Sequence, residues 1–373
     1  MFLAIKELKH SKFRYLMMSI IIILIAWLVF ILSGLGNGLS TLSAATIKNL
    51  HANYVVYEKS AGATFNKSII SSDVIDEVRK NKNVKHAAGF GSSVASISKE
   101  KTNDNNQKTD VALLGINAGS FIEPTVIDGK QLSTSKRFGV LANKSLKDAG
   151  YKIGDELLVS NSKMKLTIIG FVENETFNHL PALFTNMNTW RDYQYAAPGS
   201  DNGVNKPVQA ITLDAPKLNP GKLDKEIKGI ETVTKSTAVK GMPGYKEESG
   251  TILMMLAFLI VISAFIIAVF FYVITIQKTP QFGVMKAIGA SNRFLSNSIV
   301  AQVFLLSLVG ITAGIGLTYL TALALPQNMP FDLDTKLVVS YAVALLIISL
   351  LSSIISVRQI TKIDPLTALG RVE

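Results

Sequence analysis

The sequence predicts a membrane α-helical protein with four transmembrane helices and an α+β extracytoplasmic domain between helices 1 and 2. Three observations carry this expectation. The 373 residues are 48% hydrophobic and only 17% charged, and the charge is concentrated in some regions and absent from others, as in a membrane protein carrying a water-facing domain. Four windows hold no Asp, Glu, Lys or Arg: Tyr15 to Ile47, Ser249 to Gln277, Phe294 to Phe331 and Leu337 to Val357. A crossing needs about 20 apolar residues, so each window supplies one. Between the first two windows lies a mostly polar stretch, long enough for a core of its own.

Residues 1–14 alternate Phe2, Leu3, Ile5 and Leu8 with Lys6, Lys9 and Lys12. That spacing predicts a short amphipathic helix in the membrane interface, its lysines towards anionic headgroups. Residues 15–35 form the first expected span. Its apolar core, Leu16 to Leu32, exceeds the roughly 7–15 residues of a cleavable signal segment, so a retained helix is expected. Gly34, Gly36 and Gly38 either permit close helix packing or mark the helix end. No strand precedes them and no Walker A pattern occurs in the chain, so ATP-driven work would need an ATPase on another subunit.

Residues 36–250 form the expected extracytoplasmic domain. Tyr54 to Tyr57, Val94 to Ile97, Val111 to Ile116, Leu157 to Ser160, Leu166 to Val172 and Val208 to Leu213 read as strands. Ser72 to Lys80 reads as a helix, with Asp73 early and Arg79 and Lys80 late, as the helix dipole favours. Lys99 to Lys108 and Ala197 to Asn205 read as exposed loops. There is no cysteine, so the domain must rest on an ordinary core without disulfides.

The remaining spans are expected at 251–276, 294–325 and 337–357, with a hydrophilic turn at 277–292, an outer loop at 326–336 and a tail at 358–373. Lysine and arginine flank the N-terminus, the 277–292 turn and the tail, whereas Asp332 and Asp334 oppose one lysine in the 326–336 loop. The positive-inside rule therefore puts both termini and the 277–292 turn in the cytoplasm. The net charge of +11 is then partly a topology signal and no footprint of nucleic acid. No acidic or basic residue lies within the spans, so there is no proton relay or ion site of the kind a secondary transporter needs. No nucleophile, base and orienter pattern suggests an enzyme.

Two sets of residues carry a family resemblance. Gly139-Val140-Leu141-Ala142-Asn143-Lys144-Ser145-Leu146, Gly154-Asp155 and Leu166-Thr167-Ile168-Ile169-Gly170-Phe171 resemble the extracytoplasmic domain of the MacB/FtsX-like ABC transporter permeases. Met285 to Ser291 and Ile363-Asp364-Pro365-Leu366-Thr367-Ala368-Leu369 resemble the cytoplasmic signatures of the same family. Pro243-Gly244-Tyr245, Phe271 to Thr279 and Gln281-Phe282-Gly283 are similar to its haem-exporting branch in Gram-positive bacteria. Gln281 stands where the family commonly has a glutamate, which implies docking without that carboxylate.

The resemblance implies a multi-pass permease of the cell membrane, surrounded by lipid. It implies, too, a homodimer working with two copies of a cytoplasmic ABC ATPase subunit that carries the ATP. It also implies that the 277–292 turn is a coupling helix formed by Lys278, Gln281, Phe282, Gly283, Met285, Lys286, Ile288 and Gly289. Phe282, Met285 and Ile288 are expected to make one apolar ridge, with Lys286 meeting an acidic rim. The implied cargo is haem, expelled from the outer leaflet. A site for it needs apolar walls, cations for two propionates and an axial ligand.

Candidates are Tyr54, Tyr57, Lys59, Lys67, Glu247, Glu248, Met254 and Met255. Glu248 and Met255 lie about 10 Å apart along a helix, too far to clamp one iron, so Tyr54 is the expected partner of Glu248. Against these stand solvated or packed readings: a helix-start carboxylate for Glu248 and lipid-facing filler for the methionines. His51, His86 and His179 show no metal spacing and read as surface residues. The alternatives to haem export are an antimicrobial-peptide or lipophilic-drug exporter, or an FtsX-like mechanotransmitter that activates an extracellular partner.

Overall fold

The structure, a computed structural model, describes residues 12–99, 108–326 and 329–361. The expected interfacial helix and C-terminal tail, and most of the loop from Lys99 to Lys108, lie outside the described residues. In chain order the elements begin with helix α1 (Lys12–Asn49), strand β1 (Tyr54–Glu58), β2 (Ile70–Ser71), α2 (Asp73–Arg79), β3 (His86–Lys99), β4 (Thr109–Ile116), β5 (Val126–Gly129) and β6 (Gly139–Asn143). Then come α3 (Lys144–Asp148), β7 (Glu156–Val159), β8 (Lys165–Val172), β9 (Thr176–Phe177), β10 (Leu180–Asn186), α4 (Met187–Gln194), β11 (Pro207–Val208) and β12 (Ala210–Asp214). Last are α5 (Pro220–Glu226), β13 (Ile230–Thr234), α6 (Lys235–Lys240), α7 (Tyr245–Gln277), α8 (Thr279–Ala287), α9 (Asn292–Ala324) and α10 (Thr335–Thr361).

By contact the chain divides into a helical unit, Met1–Gly38 with Ser249–Glu373, and a β-rich unit, Leu39–Glu248. Among the described residues four helices, α1, α7, α9 and α10, are long and apolar enough to cross a membrane.

In the helical unit, small residues let helices approach closely, because lipid supplies no hydrophobic drive between them. A Cβ at Gly310 would sit 2.6 Å from Ile22, and one at Gly314 would sit 2.7 Å from the Ala26 Cβ. The glycines at the end of the expected first span mark packing and not a helix end. The helix continues to Asn49, while a Cβ at Gly38 would be 2.4 Å from the Pro330 backbone and one at Gly34 2.6 Å from the Phe331 ring.

The β-rich unit is built on an 11-stranded sheet ordered β13-β1-β12-β3-β4-β10-β6-β8-β5, with β7 against β3 and β8, and β9 against β10. Two apolar cores flank it. One gathers Val56, Leu113, Leu183 and Trp190, the other Tyr57, Phe65, Phe90 and Phe177. β3 is shared between two sets of partners: His86 to Phe90 pair with β12 and Gly91 to Ile97 with β4. Its run of Ala, Gly and Ser leaves room for a large neighbour. Gly91 and Gly115 are register partners, and a Cβ on either would come within 2.6 Å of Trp190, which is fully buried.

The segment Val208 to Leu213, expected as one strand, is two. Pro207 and Val208 pair with β2, and Ala210 onward pairs with β3. The switch falls at Gln209, whose backbone N–H donates to the Phe90 carbonyl at 3.1 Å while its side chain turns onto Ser92.

Candidate functional site

In the β-rich unit, α1 is interrupted at Ala44, where φ is −145° and ψ is 20°. A break in a helix strips preceding carbonyls of their usual i+4 partners. Here the turn between β9 and β10 supplies replacements: the N–H of Asn178 donates to the Ser43 carbonyl at 2.8 Å and the N–H of His179 to the Leu42 carbonyl at 3.1 Å. Asn178 and His179 both have positive φ, 52° and 63°, as a two-residue type I′ hairpin requires. Asparagine and histidine are both among the non-glycine residues enriched in that conformation.

This turn places His179 against Ser43 and Glu248. The His179 Nε2 lies 3.0 Å from the Ser43 Oγ and 2.9 Å from the Glu248 Oε1, while the Ser43 hydroxyl donates to the Glu248 Oε2 at 2.9 Å. The Leu39 carbonyl, 3.2 Å away, is a second acceptor within reach of the same Ser43 hydroxyl. With Glu248 accepting on both oxygens, His179 must carry its proton on Nε2. His179 and Glu248 side chains are 36% and 30% exposed, so the cluster is open to solvent. Beside it, Lys48 donates to the Ser40 Oγ at 2.8 Å, Ser40 donates to the Tyr245 hydroxyl at 3.0 Å, and the Lys48 Nζ stands 5.8 Å from the centre of the Tyr245 ring.

In the structure Glu248 lies against His179 and Ser43, and Tyr54, its expected partner in holding haem, is bonded elsewhere. Tyr54 is half-buried against the first core and its hydroxyl donates to the Leu218 carbonyl at 3.3 Å. His179, read from the sequence as a scattered surface histidine, is the residue brought to Glu248. Tyr57 is fully buried, and burial pushes its hydroxyl well above the ordinary tyrosine range, so it faces the core and not a cargo. Lys59, Lys67 and Glu247 are exposed. In the helical unit, Met254 and Met255 are exposed on α7 together with Leu253 and Phe258.

Helix α8 follows α7 within the helical unit. The expected ridge of Phe282, Met285 and Ile288 does not form. Steps of three residues rotate back by about 60° each, so these three positions span about 120° of the helix. Phe282 is 1% exposed, packed with Tyr15, Phe271, Leu295 and Ile299, while Ile288 is 80% exposed. Met285 and Lys286 are intermediate, Gly283 is buried and Gly289 is exposed, the last with φ 100° where α8 ends.

The outward face consists of Pro280, Gln281, Val284, Ala287 and Ile288, an i, i+1, i+4, i+7, i+8 stripe. Lys278, also expected on the docking surface, is 5% exposed. Its Nζ donates to the Tyr15 hydroxyl at 2.5 Å, which donates in turn to the Gln302 Oε1 at 3.0 Å. A buried ammonium is held only when hydrogen-bonded, so Lys278 anchors the start of α8 to α1 and α9.

Four apolar helices, a β-rich domain inserted between the first two of them and a short helix joining the second and third define a class of membrane permease. The chain belongs to the MacB/FtsX-like ABC transporter permeases: residues 15–228 match the MacB-like periplasmic core domain and residues 253–365 the FtsX-like permease C-terminal domain. It is 26% identical over 368 residues to a Staphylococcus epidermidis protein named "Putative hemin transport system permease protein HrtB", covering 99% of both chains. It is 24% identical over 373 residues to an uncharacterized ABC transporter permease of Mycobacterium tuberculosis, again covering 99% of both. The periplasmic region of MacB from Actinobacillus actinomycetemcomitans aligns with 51% of this chain and 92% of its own at 14% identity and a TM-score of 0.38.

Proposed function

We propose that this permease extrudes haem, taking it from the outer leaflet and working as a homodimer with two copies of a cytoplasmic ATPase. The observation that carries the reading is similarity along the full chain to proteins named for hemin transport, and the chemistry of the cluster agrees with it. Haem is a flat apolar ring with two anionic propionates and an iron that accepts axial ligands such as imidazole. His179 and Glu248 lie 2.9 Å apart and part-exposed, so a cargo that displaced their mutual contact would find an imidazole and a carboxylate together. Lys59 and Lys67, exposed in the same unit, are the cations assigned to the propionates. ATP-driven movement of the ATPases would enter through the outward stripe of α8 and drive the expulsion of cargo.

The test is absorbance of the purified chain titrated with haemin. A saturable Soret shift, weakened by Glu248→Ala and by His179→Ala but not by the core substitution Tyr57→Phe, supports haem as cargo. A chain that produces no Soret change leaves the permease class standing and removes haem. Stable co-purification of a cell-wall hydrolase in that case would favour the mechanotransmitter reading.

A further inference from the structure

A cavity of about 230 Å³ opens beside β3 in the β-rich unit, lined by Thr64, Phe65, Ser92, Gln194 and Gln209 among others. Among the described residues no Asp, Glu, Lys, Arg or His contributes to its wall. Its volume falls below the roughly 300 Å³ at which sites for drug-sized ligands begin, so it suits one ring or one short group. The lack of charge makes it a poor host for an anion such as a haem propionate, and nothing said of cargo above bears on it.

The hydrogen bonding of Gln209 fixes what the wall offers. Its Oε1 accepts from the Ser92 backbone N–H at 2.7 Å and from the Ser92 Oγ at 2.9 Å. A backbone N–H can only donate, so the carboxamide cannot be flipped; its NH₂ group is the part left over. Gln209 is 4% exposed and Ser92 is 3% exposed, and among the described residues no protein acceptor takes the Gln209 NH₂. A nearly buried donor facing a cavity without an acceptor is a place for a ligand's oxygen.

Nearby, Ser93 receives the Trp190 Nε1–H at 2.8 Å and donates to the Gln194 Oε1, and Gln194 brings a second carboxamide to the wall. Asn66 and Asn178 add two further carboxamides to the wall. Phe65 and Phe177, with ring centres 5.6 Å apart, supply the apolar side.

We infer that this cavity binds an uncharged acetamido sugar, its carbonyl oxygen accepting from the Gln209 NH₂ group and its methyl group lying against Phe65 and Phe177. Carboxamides and hydroxyls crowded round so small a volume match a ligand with many hydroxyls better than a peptide unit, which offers one donor and one acceptor per residue. The natural source of such a ligand outside a membrane is the glycan of a cell wall.

The test titrates the full chain, carrying Trp27→Phe so that Trp190 is the one tryptophan left, in detergent with a trisaccharide of N-acetylglucosamine, followed by the fluorescence of Trp190, whose indole N–H is bonded to a wall residue. Cellotriose and an uncharged N-acetylated tripeptide serve as comparisons. Gln209→Glu keeps the oxygen that holds Ser92 but replaces the donating NH₂, and is expected to weaken trisaccharide binding by about tenfold. Asn66→Ala, at an exposed position, is expected to weaken it less while leaving the fold intact. Saturation by the acetylated trisaccharide alone, with that loss in Gln209→Glu, supports the inference. Equal or preferred binding of the tripeptide, binding of cellotriose as tight as that of the acetylated sugar, unchanged affinity in Gln209→Glu, or no saturation by any probe overturns it.

Discussion

Replacing Phe282 and Ile288 by alanine, one at a time, separates the packing of α8 from its use as a docking surface. Phe282 is 1% exposed and belongs to one buried apolar cluster with Tyr15, Met18, Ile274, Leu295 and Ile299. Truncating a buried phenylalanine to alanine typically costs about 3–5 kcal/mol, because contacts are lost and a cavity remains. Ile288 is 80% exposed, and exposed substitutions usually stay within about 0.5 kcal/mol.

Phe282→Ala should therefore lower the thermal unfolding midpoint of the purified permease clearly, and Ile288→Ala should leave it almost unchanged. In ATPase assays of the assembled transporter the order reverses in kind. Ile288→Ala should reduce stimulation of ATP hydrolysis with no loss of folded protein, whereas any loss in Phe282→Ala should track its unfolding. A Phe282→Ala protein of unchanged midpoint that no longer binds the ATPase would refute this account of the helix, and restore Phe282 as the docking residue.

Three further outcomes follow from the β-rich unit. Glu175 is buried beside Asn49, whose Nδ2 donates to it at 3.1 Å, and burial raises its pKa above the ordinary 4.5. Stability from a raised carboxylate is complete below pH 4.5 and is lost as pH rises through the folded value; Glu175→Gln should thus unfold at a higher temperature than wild type at neutral pH, with the gap closing towards pH 4.5. Gly115→Ala would drive a Cβ to 2.6 Å from Trp190, and overpacking of this kind costs about 1–3 kcal/mol, readable by chemical denaturation followed through tryptophan fluorescence. His179→Asn keeps a residue that tolerates positive φ while removing the imidazole, so it should weaken haemin binding with little change in unfolding temperature; equal haemin affinity would show that His179 does not touch the cargo.

The membrane helices were legible because their signal is local. Eighteen or more uncharged residues leave few alternatives to a span, and each of the four windows contains such a helix. Most strands were legible for the same reason: Val111 to Ile116 and Leu166 to Val172 lie inside observed strands. The sequence signals only four of the 14 residues of β3, since an Ala-Gly-Ser run has low strand propensity and makes sense only beside the side chains packed on it, Val208 at Gly89 and Trp190 at Gly91.

The site was far less legible. Ser43 and His179 are 136 residues apart, and His179 and Glu248 are 69 apart. The dipeptide Asn178-His179 between two short apolar runs could have suggested a tight hairpin, but which helix break it would fill is decided by tertiary structure. On α8, three apolar residues at intervals of three look like one ridge in the sequence, but such a row turns steadily around the helix, from the buried Phe282 to the exposed Ile288.

The central claim is tested most directly by haem transfer from vesicles containing this permease and its ATPase, loaded with haemin and mixed with a haem-free acceptor protein in the external solution. The account predicts that ATP accelerates the appearance of haem on the acceptor, and that Glu248→Ala and Ile288→Asp each suppress the acceleration, the first without suppressing ATP hydrolysis. Vigorous ATP hydrolysis by the wild-type assembly with haem transfer no faster than in its absence would contradict it.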